Sequence, residues 1–246
     1  MEIIITDDYK AMSLAAGQLV IKQAEKDKNT VLALPTGNTP IGLYENLVQA
    51  VNRKIVSFNG VKVFILDEYV GLRKTDPASY HFFMADKLLG RIDVKEKNVF
   101  IPDGQAEDLN EECAGYEDSI KKCGGIDLLI LGIGLNGHLA FNEPGSDFNS
   151  KTRVVKLTEQ TRRSNAAYFD KPSQMPLSAI TIGLGTIMKA EKIVLLASGE
   201  KKAAIVRLAI EGKITKFVPA SILQTHKNLT VIFDKGAAEQ LTAHNS

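Results

Sequence analysis

The stretch Ile126–Ser146, IDLLILGIGLNGHLAFNEPGS, decides the fold. Its first six residues form a largely apolar run that is typical of a buried parallel strand. The run ends at a glycine-rich segment, which frees the backbone from ordinary steric limits. Four polar residues follow closely: Asn136, His138, Asn142 and Glu143. Because ligands bind beyond the carboxyl ends of strands in open α/β sheets, this histidine and carboxylate predict acid–base chemistry.

The same kind of apolar run alternates with helical patterns along the chain. This alternation is typical of βαβ units and predicts an α/β protein with a mostly parallel sheet covered by helices on both faces. The predicted strands are Glu2–Thr6, Val31–Leu34, Val61–Leu66, Val99–Ile101, Leu128–Leu131, Ile193–Ala197 and Leu229–Phe233. The predicted helices are Tyr9–Glu25, Pro40–Val51, Ala78–Leu89, Asp108–Lys122, Lys201–Glu211 and Ala220–Thr225.

No linker rich in Pro, Gly or Ser divides the chain, so we expect one domain over residues 1–246. Residues 146–178 are the least regular in sequence and are expected to hold a mobile lid.

Composition restricts the partners. The chain has 30 basic and 29 acidic residues among 246, a net charge of +1, so neither nucleic acid nor an anionic membrane is expected as a partner. The first residues lack a signal-peptide pattern, and no apolar run is long enough to span a membrane. Cys113 and Cys123 do not form a CxxC pair, which favours reduced thiols and a cytoplasmic protein.

The segment Leu32–Pro40, LALPTGNTP, leads from a strand into a helix. Thr as the cap and Pro40 in the first turn favour a helix start whose free N–H groups and dipole bind an anion, most naturally a phosphate. An ordinary capped turn is the alternative, and a Walker loop is excluded because no Gly-Lys-Ser/Thr follows.

Two further strand ends carry charged residues. Asp67 and Glu68 are adjacent, so in a persisting strand they point opposite ways, one facing the crevice as a base while the other pairs elsewhere. A helix cap or a loop ion pair is the alternative. The strand Ile193–Ala197 is followed by Lys201 and Lys202 in the first turn of a predicted helix. A lysine there is unfavourable next to the positive end of the helix dipole unless an anion lies between the lysine and the helix. A solvated surface lysine is the alternative. His138 and Glu143 are five residues apart, which does not fit a HExxH zinc site.

Taken together, LPTGNTP, LDEYVGL, LGIGLNGHLAFNEPG and ASGEKKA resemble the glucosamine-6-phosphate deaminases, and the likeness extends from Leu32 to the segment Val218–His226. The resemblance implies a Rossmann-like doubly wound fold and an amino sugar catabolic enzyme, a hydrolase that converts glucosamine 6-phosphate and water to fructose 6-phosphate and ammonia. It also implies no metal or organic cofactor. Beyond the sugar phosphate substrate, no partner other than further copies of the same chain is expected, so the protein is a monomer or a homo-oligomer.

The resemblance also assigns roles by residue. Asp67 carries a proton between C2 and C1, and His138 opens the sugar ring with Glu143 as its partner. Asn136 belongs to the same ring-opening group. The phosphate is expected on Thr36, Gly37, Asn38, Thr39 and Lys202, while Glu68 and Tyr80 are expected to line the site.

Three positions depart from the family pattern. Asn136 stands where some members have Asp, so we expect a lower His138 pKa than in an Asp version. Asn38 replaces a second glycine, and Asn is among the residues that best adopt a positive φ. Val155 lies where regulated hexameric members have a lysine for the activator, and those members carry a longer tail. We therefore expect a non-allosteric enzyme.

Three alternatives remain at this point. The first is the same reaction on galactosamine 6-phosphate, which differs from glucosamine 6-phosphate at C4 alone. A 6-phosphogluconolactonase shares the fold and a Gly-His loop but lacks the carboxylate after the histidine. A sugar-phosphate sensing domain of a transcription regulator needs a DNA-binding helix pair and has little use for Asp67, His138 and Glu143 together.

Overall fold

The computed structural model describes residues 1–166, Phe169 and 175–242. The strands of this part are β1 (Glu2–Thr6), β2 (Val31–Leu34), β3 (Lys62–Ile65), β4 (Asp67–Tyr69), β5 (Val99–Phe100), β6 (Leu128–Gly132), β7 (Arg153–Lys156), β8 (Ser178–Thr181), β9 (Lys192–Ala197) and β10 (Leu229–Asp234). The α-helices are α1 (Tyr9–Lys26), α2 (Ile41–Asn52), α3 (Tyr80–Lys87), α4 (Leu109–Lys122), α5 (Glu159–Asn165), α6 (Leu184–Ile187), α7 (Ala203–Ile210) and α8 (Lys235–Ala238). Short 3-10 helices include Leu89–Arg91, Glu96–Asn98, Glu200–Lys202 and Pro219–Thr225.

Seven parallel strands form the main sheet, in the order β1-β10-β9-β6-β2-β3-β5. After β2 the chain continues to β3 on one side, whereas after β6 the next strand of this sheet is β9 on the other side. The loops that follow β2 and β6 therefore diverge between two adjacent strands. Such a switch point opens a crevice at the carboxyl ends of the strands.

Both faces of the main sheet are covered by apolar helix surfaces, as predicted. On one face α1 and α2 pack on the sheet, with Met12, Val20 and Leu47 fully buried. On the other face α4 and α7 cover the sheet, with Tyr116 and Val206 buried. The doubly wound α/β fold is confirmed, and it follows from strands that are apolar on both sides.

A second, three-stranded antiparallel sheet, β4-β8-β7, was not predicted. The chain leaves the main sheet after Ile65, and Asp67 then pairs with Thr181 of β8. Because β4 is three residues long and begins with two carboxylates, it carries no apolar alternation by which sequence reasoning finds strands. The small sheet places Asp67 directly beyond the end of β3.

Several element boundaries and types differ from the predictions. The helix predicted from Ala78 begins at Tyr80, because Ser79 is its cap and accepts the Phe82 N–H at 3.1 Å. The helices predicted at Lys201–Glu211 and Ala220–Thr225 are a 3-10 turn followed by α7, and a 3-10 helix. The seven predicted strands all occur in the main sheet, with ends shifted by one residue at most.

Residues 146–178, expected to hold a lid, include β7 and α5. Residues 167–168 and 170–174 of this segment lie outside the described residues, and its movement stays a prediction. None of the helices in the described ranges combines the length and apolar character that crossing a membrane requires.

Candidate active site

A cavity of about 400 Å³ lies beyond the carboxyl ends of β2, β3 and β6. Its wall brings together most of the residues predicted to form the site, namely Thr36, Gly37, Asn38, Thr39, Asp67, Tyr80, Asn136, His138 and Lys202. Two predicted residues, Glu68 and Glu143, do not line this cavity. Both lie behind the wall, where each binds residues that do line it.

Asp67 is a buried carboxylate in the cavity wall. Its side chain lies just beyond β3, and within the described part of the chain its Oδ1 has no hydrogen-bond partner. Burial, reinforced by the charge of Glu68, raises its pKa to about 8, and a hydrogen bond from Thr36 acts in the opposite direction. A group with a pKa near neutrality and a free oxygen in a cavity is suited to accept a proton.

His138 lies on the wall built by the loop after β6 and is held by Asn136. The His138 Nδ1 is 2.7 Å from Asn136 Oδ1, and the Asn136 Nδ2 donates to Glu143 Oε2 at 2.7 Å. Since an ionised carboxylate only accepts, the amide must direct its N–H group to Glu143 and its oxygen to His138. His138 therefore carries its proton on Nδ1, and Nε2 is left as the basic nitrogen.

Burial keeps His138 neutral. It lowers the pKa of the imidazole, the Glu143 charge opposes this effect, and the Lys202 charge adds to it. Glu143 Oε2 lies 3.8 Å from His138 Nδ1, beyond hydrogen-bond distance. The predicted partnership between Glu143 and His138 is thus indirect, because Asn136 lies between them.

Glu143 is also bound by residues at the start of α5, which sequence reasoning missed. Thr158 Oγ1 donates to Glu143 Oε1 at 3.2 Å, and the buried Thr161 hydroxyl donates to the same oxygen. Thr158 in turn caps α5 through the Thr161 N–H. The sequence does show Thr158 and Thr161 at the spacing of a helix cap. That spacing does not indicate that both hydroxyls bind Glu143.

The loop after β2 turns at Gly37, whose φ is +92°. Asn38 does not have a positive φ, so the positive angle proposed for it is wrong and no second glycine is needed there. Thr39 does not cap α2 either: the cap position is Pro40, and it has no side-chain hydrogen bond. Instead the Tyr9 hydroxyl accepts the Gly42 N–H at 2.8 Å and lies 3.2 Å from Asn38 O, to which it donates.

Lys202 is the lysine that reaches the cavity, as predicted in preference to Lys201. It is half-buried, its Nζ donates to Ile133 O at 2.6 Å, and burial lowers its pKa. Lys201 is exposed and does not line the cavity. The cavity therefore has a cationic end near Lys202 and the Thr36–Thr39 loop, with the Asp67 carboxyl in the same enclosure.

Glu68 points away from the cavity, so the expectation that it lines the site is wrong. It follows Asp67 in a strand, and adjacent residues of a strand face opposite sides. Its Oε1 accepts the N–H groups of Tyr69 and Tyr80 at 2.8 and 3.0 Å, and its Oε2 accepts that of His81 at 2.9 Å. The two adjacent carboxylates therefore face opposite ways, as predicted, and the role of Asp67 as a base stays a prediction.

Aromatic residues form one side of the cavity, and of these the sequence indicated Tyr80 alone. Tyr80 stacks on Phe141 with ring centres 6.0 Å apart, and Tyr69 lies 4.8 Å from Tyr80. The Asn165 amide of α5 donates to the Tyr69 hydroxyl at 2.9 Å. In the same wall Ala140 has a φ of +50°, an uncommon angle for a residue other than glycine.

Comparison with known proteins assigns the family. A family model described as glucosamine-6-phosphate isomerases/6-phosphogluconolactonase matches residues 7–232. The chain belongs to this family. Glucosamine-6-phosphate deaminase is the name of relatives in Thermoanaerobacter sp. (strain X514), with 50% identity over 97% of this chain and 94% of that one, and in Oceanobacillus iheyensis, with 46% identity over 100% and 98%.

Solved structures of the family agree with this fold. A protein described as a monomeric glucosamine-6-phosphate deaminase is 42% identical, covers 98% of this chain and 100% of its own, and superposes with a TM-score of 0.95. A 6-phosphogluconolactonase from Trypanosoma cruzi is 22% identical, with a TM-score of 0.80 over 98% and 97% of the two chains. The second similarity establishes the shared fold alone.

Proposed function

We propose that this protein is a glucosamine-6-phosphate deaminase, which converts glucosamine 6-phosphate and water to fructose 6-phosphate and ammonia in amino sugar catabolism. The observation that carries the proposal is one cavity in which a buried carboxyl of raised pKa, a neutral histidine and a lysine face the same space. Each of these groups answers a separate requirement of that reaction.

Ring opening is assigned to His138. Hexosamine phosphates rest mainly as closed rings, and opening removes a proton from the C1 hydroxyl and returns one to the ring oxygen. The His138 Nε2 is unprotonated because Nδ1 holds its proton against Asn136 Oδ1. A neutral imidazole held in one tautomer can take the first proton and deliver it to the ring oxygen.

The C–H chemistry is assigned to Asp67. The open-chain aldehyde acidifies C2–H, and the Asp67 carboxylate removes that proton to leave an enolamine. The carboxyl then returns the proton at C1, which gives an imine at C2. Water adds to the imine and ammonia leaves, so the net reaction consumes one water and is a hydrolysis at the C–N bond.

Charge favours an amino sugar phosphate over a lactone. The phosphate is expected on Lys202 and the Thr36–Thr39 loop, and this remote contact supplies binding energy for orienting the reacting carbons. A buried carboxyl at the other wall is stabilised in its ionised form by a nearby cation, and a 2-amino sugar carries one. A 6-phosphogluconolactone brings no such charge to Asp67.

Three finer features belong to the same proposal. The roles assigned to residues 36–39, 67, 136, 138, 143 and 202 are proposed together. We propose a monomer, as described for the relative of known structure. The free thiols of Cys113 and Cys123 fit a reducing compartment, and we propose the cytoplasm.

The test measures ammonia release from glucosamine 6-phosphate and from galactosamine 6-phosphate, and acid release on hydrolysis of 6-phosphogluconolactone, side by side with the wild-type protein and Asp67→Asn. We expect ammonia from glucosamine 6-phosphate with the wild type and a rate lower by about 10²–10⁴-fold in the variant, since that is the usual contribution of a general base. Faster release from galactosamine 6-phosphate reassigns the substrate, and no ammonia from either amino sugar overturns the proposal.

A further inference from the structure

Glu68 is a buried carboxylate that does not itself line the cavity, although it adjoins Asp67, which does. Its side chain is 2% exposed. Both oxygens are engaged, Oε1 by the N–H groups of Tyr69 and Tyr80 and Oε2 by the N–H group and Nδ1 of His81, all within 3.0 Å. A buried charge held this completely cannot turn away or gather water when its neighbour ionises.

The contacts of Glu68 join two walls of the cavity. Glu68 and Asp67 are consecutive in β4, while Tyr80 and His81 begin α3. The first free N–H groups of α3 are thus bound by Glu68, and a carboxylate at a helix N-terminus is favoured by the dipole. Ser79 caps the same helix, and both Ser79 and Tyr80 line the cavity. Glu68 therefore fixes the distance between Asp67 and the aromatic wall.

We propose that Glu68 is a positioning residue for Asp67: locked against the start of α3, its carboxylate sets a fixed charge beside Asp67 and ties β4 to Tyr80 of the cavity wall. The proposal rests on the function proposed above, because it assigns Asp67 the role of base. The charge of Glu68 raises the pKa of Asp67 in addition to the effect of burial.

Other titratable groups surround the pair and must be separated from it. Around Asp67 they are four buried tyrosines; burial raises the pKa of Tyr69 to about 12 and raises the others well above the ordinary value, so all stay neutral near pH 8. Those others are Tyr44, Tyr80 and Tyr116. On the far side Glu68 faces His81, and beyond it lies Asp103, which pairs with Lys74 at 3.2 Å. Of these groups, His81 alone contacts Glu68 directly through its side chain.

The experiment measures the titration of the Asp67 carboxyl by carbon-13 NMR, with the signal assigned by its loss in Asp67→Asn. We expect the midpoint of the wild type near pH 8. In Glu68→Gln it falls by roughly one pH unit, the low end of the effect of a nearby like charge. Ser79→Ala is the matched control, because it weakens the start of α3 without removing a charge, and it leaves the midpoint in place.

A second pair of variants changes His81, the neighbour of Glu68, and leaves Glu68 in place. His81→Lys sets a permanent positive charge beside Oε2, whereas His81→Gln sets a neutral donor there. We expect a lower Asp67 midpoint in the lysine variant than in the glutamine variant, and this comparison decides the matter where Glu68→Gln does not fold. An unchanged midpoint in Glu68→Gln, equal midpoints in the two His81 variants, or an equal fall in Ser79→Ala overturns the proposal.

The failure of this proposal is distinct from failure of the proposed function. The NMR titration reports on Asp67 without substrate, so it does not depend on ammonia release. If the wild type releases ammonia, the acid limb of its kcat profile moves to lower pH in Glu68→Gln together with the NMR midpoint. A limb that stays in place while the midpoint moves overturns the positioning role.

Discussion

Replacing Asp67 with Asn is expected to stabilise the folded protein while it abolishes the reaction. Burial raises the Asp67 pKa from 3.8 to about 8, so the folded state binds a proton that the unfolded chain releases above pH 4. The stability of the wild type therefore falls as pH rises between about 4 and 8, at about 1.4 kcal/mol per pH unit. Asn carries no such cost, because it does not ionise.

The magnitude follows from the same two pKa values. At pH 7 the ionisable carboxyl costs the wild type on the order of 4 kcal/mol relative to Asn. Between pH 5 and pH 8 the difference in unfolding free energy is expected to grow by on the order of 3–4 kcal/mol, and above pH 8 it levels off. Such a gain is large beside the total stability of a domain, about 5–15 kcal/mol.

Urea unfolding of both proteins at pH 5, 6, 7, 8 and 9 measures this difference. Asp67→Ser serves as the control: it packs differently and shifts the curve by a constant, yet it must give the same dependence on pH, because only the lost carboxyl titrates. A difference between the wild type and Asp67→Asn that is constant across this range refutes the raised pKa, and with it the reason for assigning Asp67 the role of base.

Three further predictions concern the rest of the cavity. Lys202→Met is expected to lower kcat/KM for the sugar phosphate about 10- to 150-fold, since a charged hydrogen bond contributes about 1.5–3 kcal/mol; Lys201→Met, at an exposed lysine outside the cavity, should leave kcat/KM unchanged, and equal effects contradict the assignment. Asn136→Asp is expected to raise the His138 pKa and move the acid limb of kcat/KM to higher pH, so an unchanged profile counts against the relay. Initial rates should depend hyperbolically on glucosamine 6-phosphate, and a sigmoidal curve that N-acetylglucosamine 6-phosphate makes hyperbolic would show the non-allosteric prediction to be wrong.

The main sheet was predictable because its strands carry their own signal. Each is an apolar run whose two sides are both buried, and such runs differ sharply from the helices between them. The small sheet was not predictable, since Asp67–Tyr69 is three residues long and holds two charged residues. This strand forms because it pairs with Ser178–Thr181, more than a hundred positions further along the chain, which no local pattern records.

The residues of the candidate site were largely predictable from the sequence, whereas the hydrogen bonds that link them were not. The sequence placed Asp67, His138 and Lys202 at strand ends, and parallel strands bring such ends to one edge. It did not indicate that Asn136 lies between His138 and Glu143, because that depends on the turn at Gly137, whose φ is +84°. Nor did it indicate Thr161, which reaches Glu143 from a helix eighteen residues further along the chain.

The amide at position 136 lies between the Glu143 charge and His138. A carboxylate there would lie in hydrogen-bond contact with Glu143, and two carboxylates so close share a proton and titrate as a pair. Asn136 instead takes the Glu143 charge on its N–H group at 2.7 Å and presents a neutral oxygen to His138. Burial lowers the pKa of His138, whereas burial raises that of Asp67, in the same cavity, to about 8. Because the amide does not ionise, it holds the His138 tautomer that ring opening needs without a proton shared at position 136.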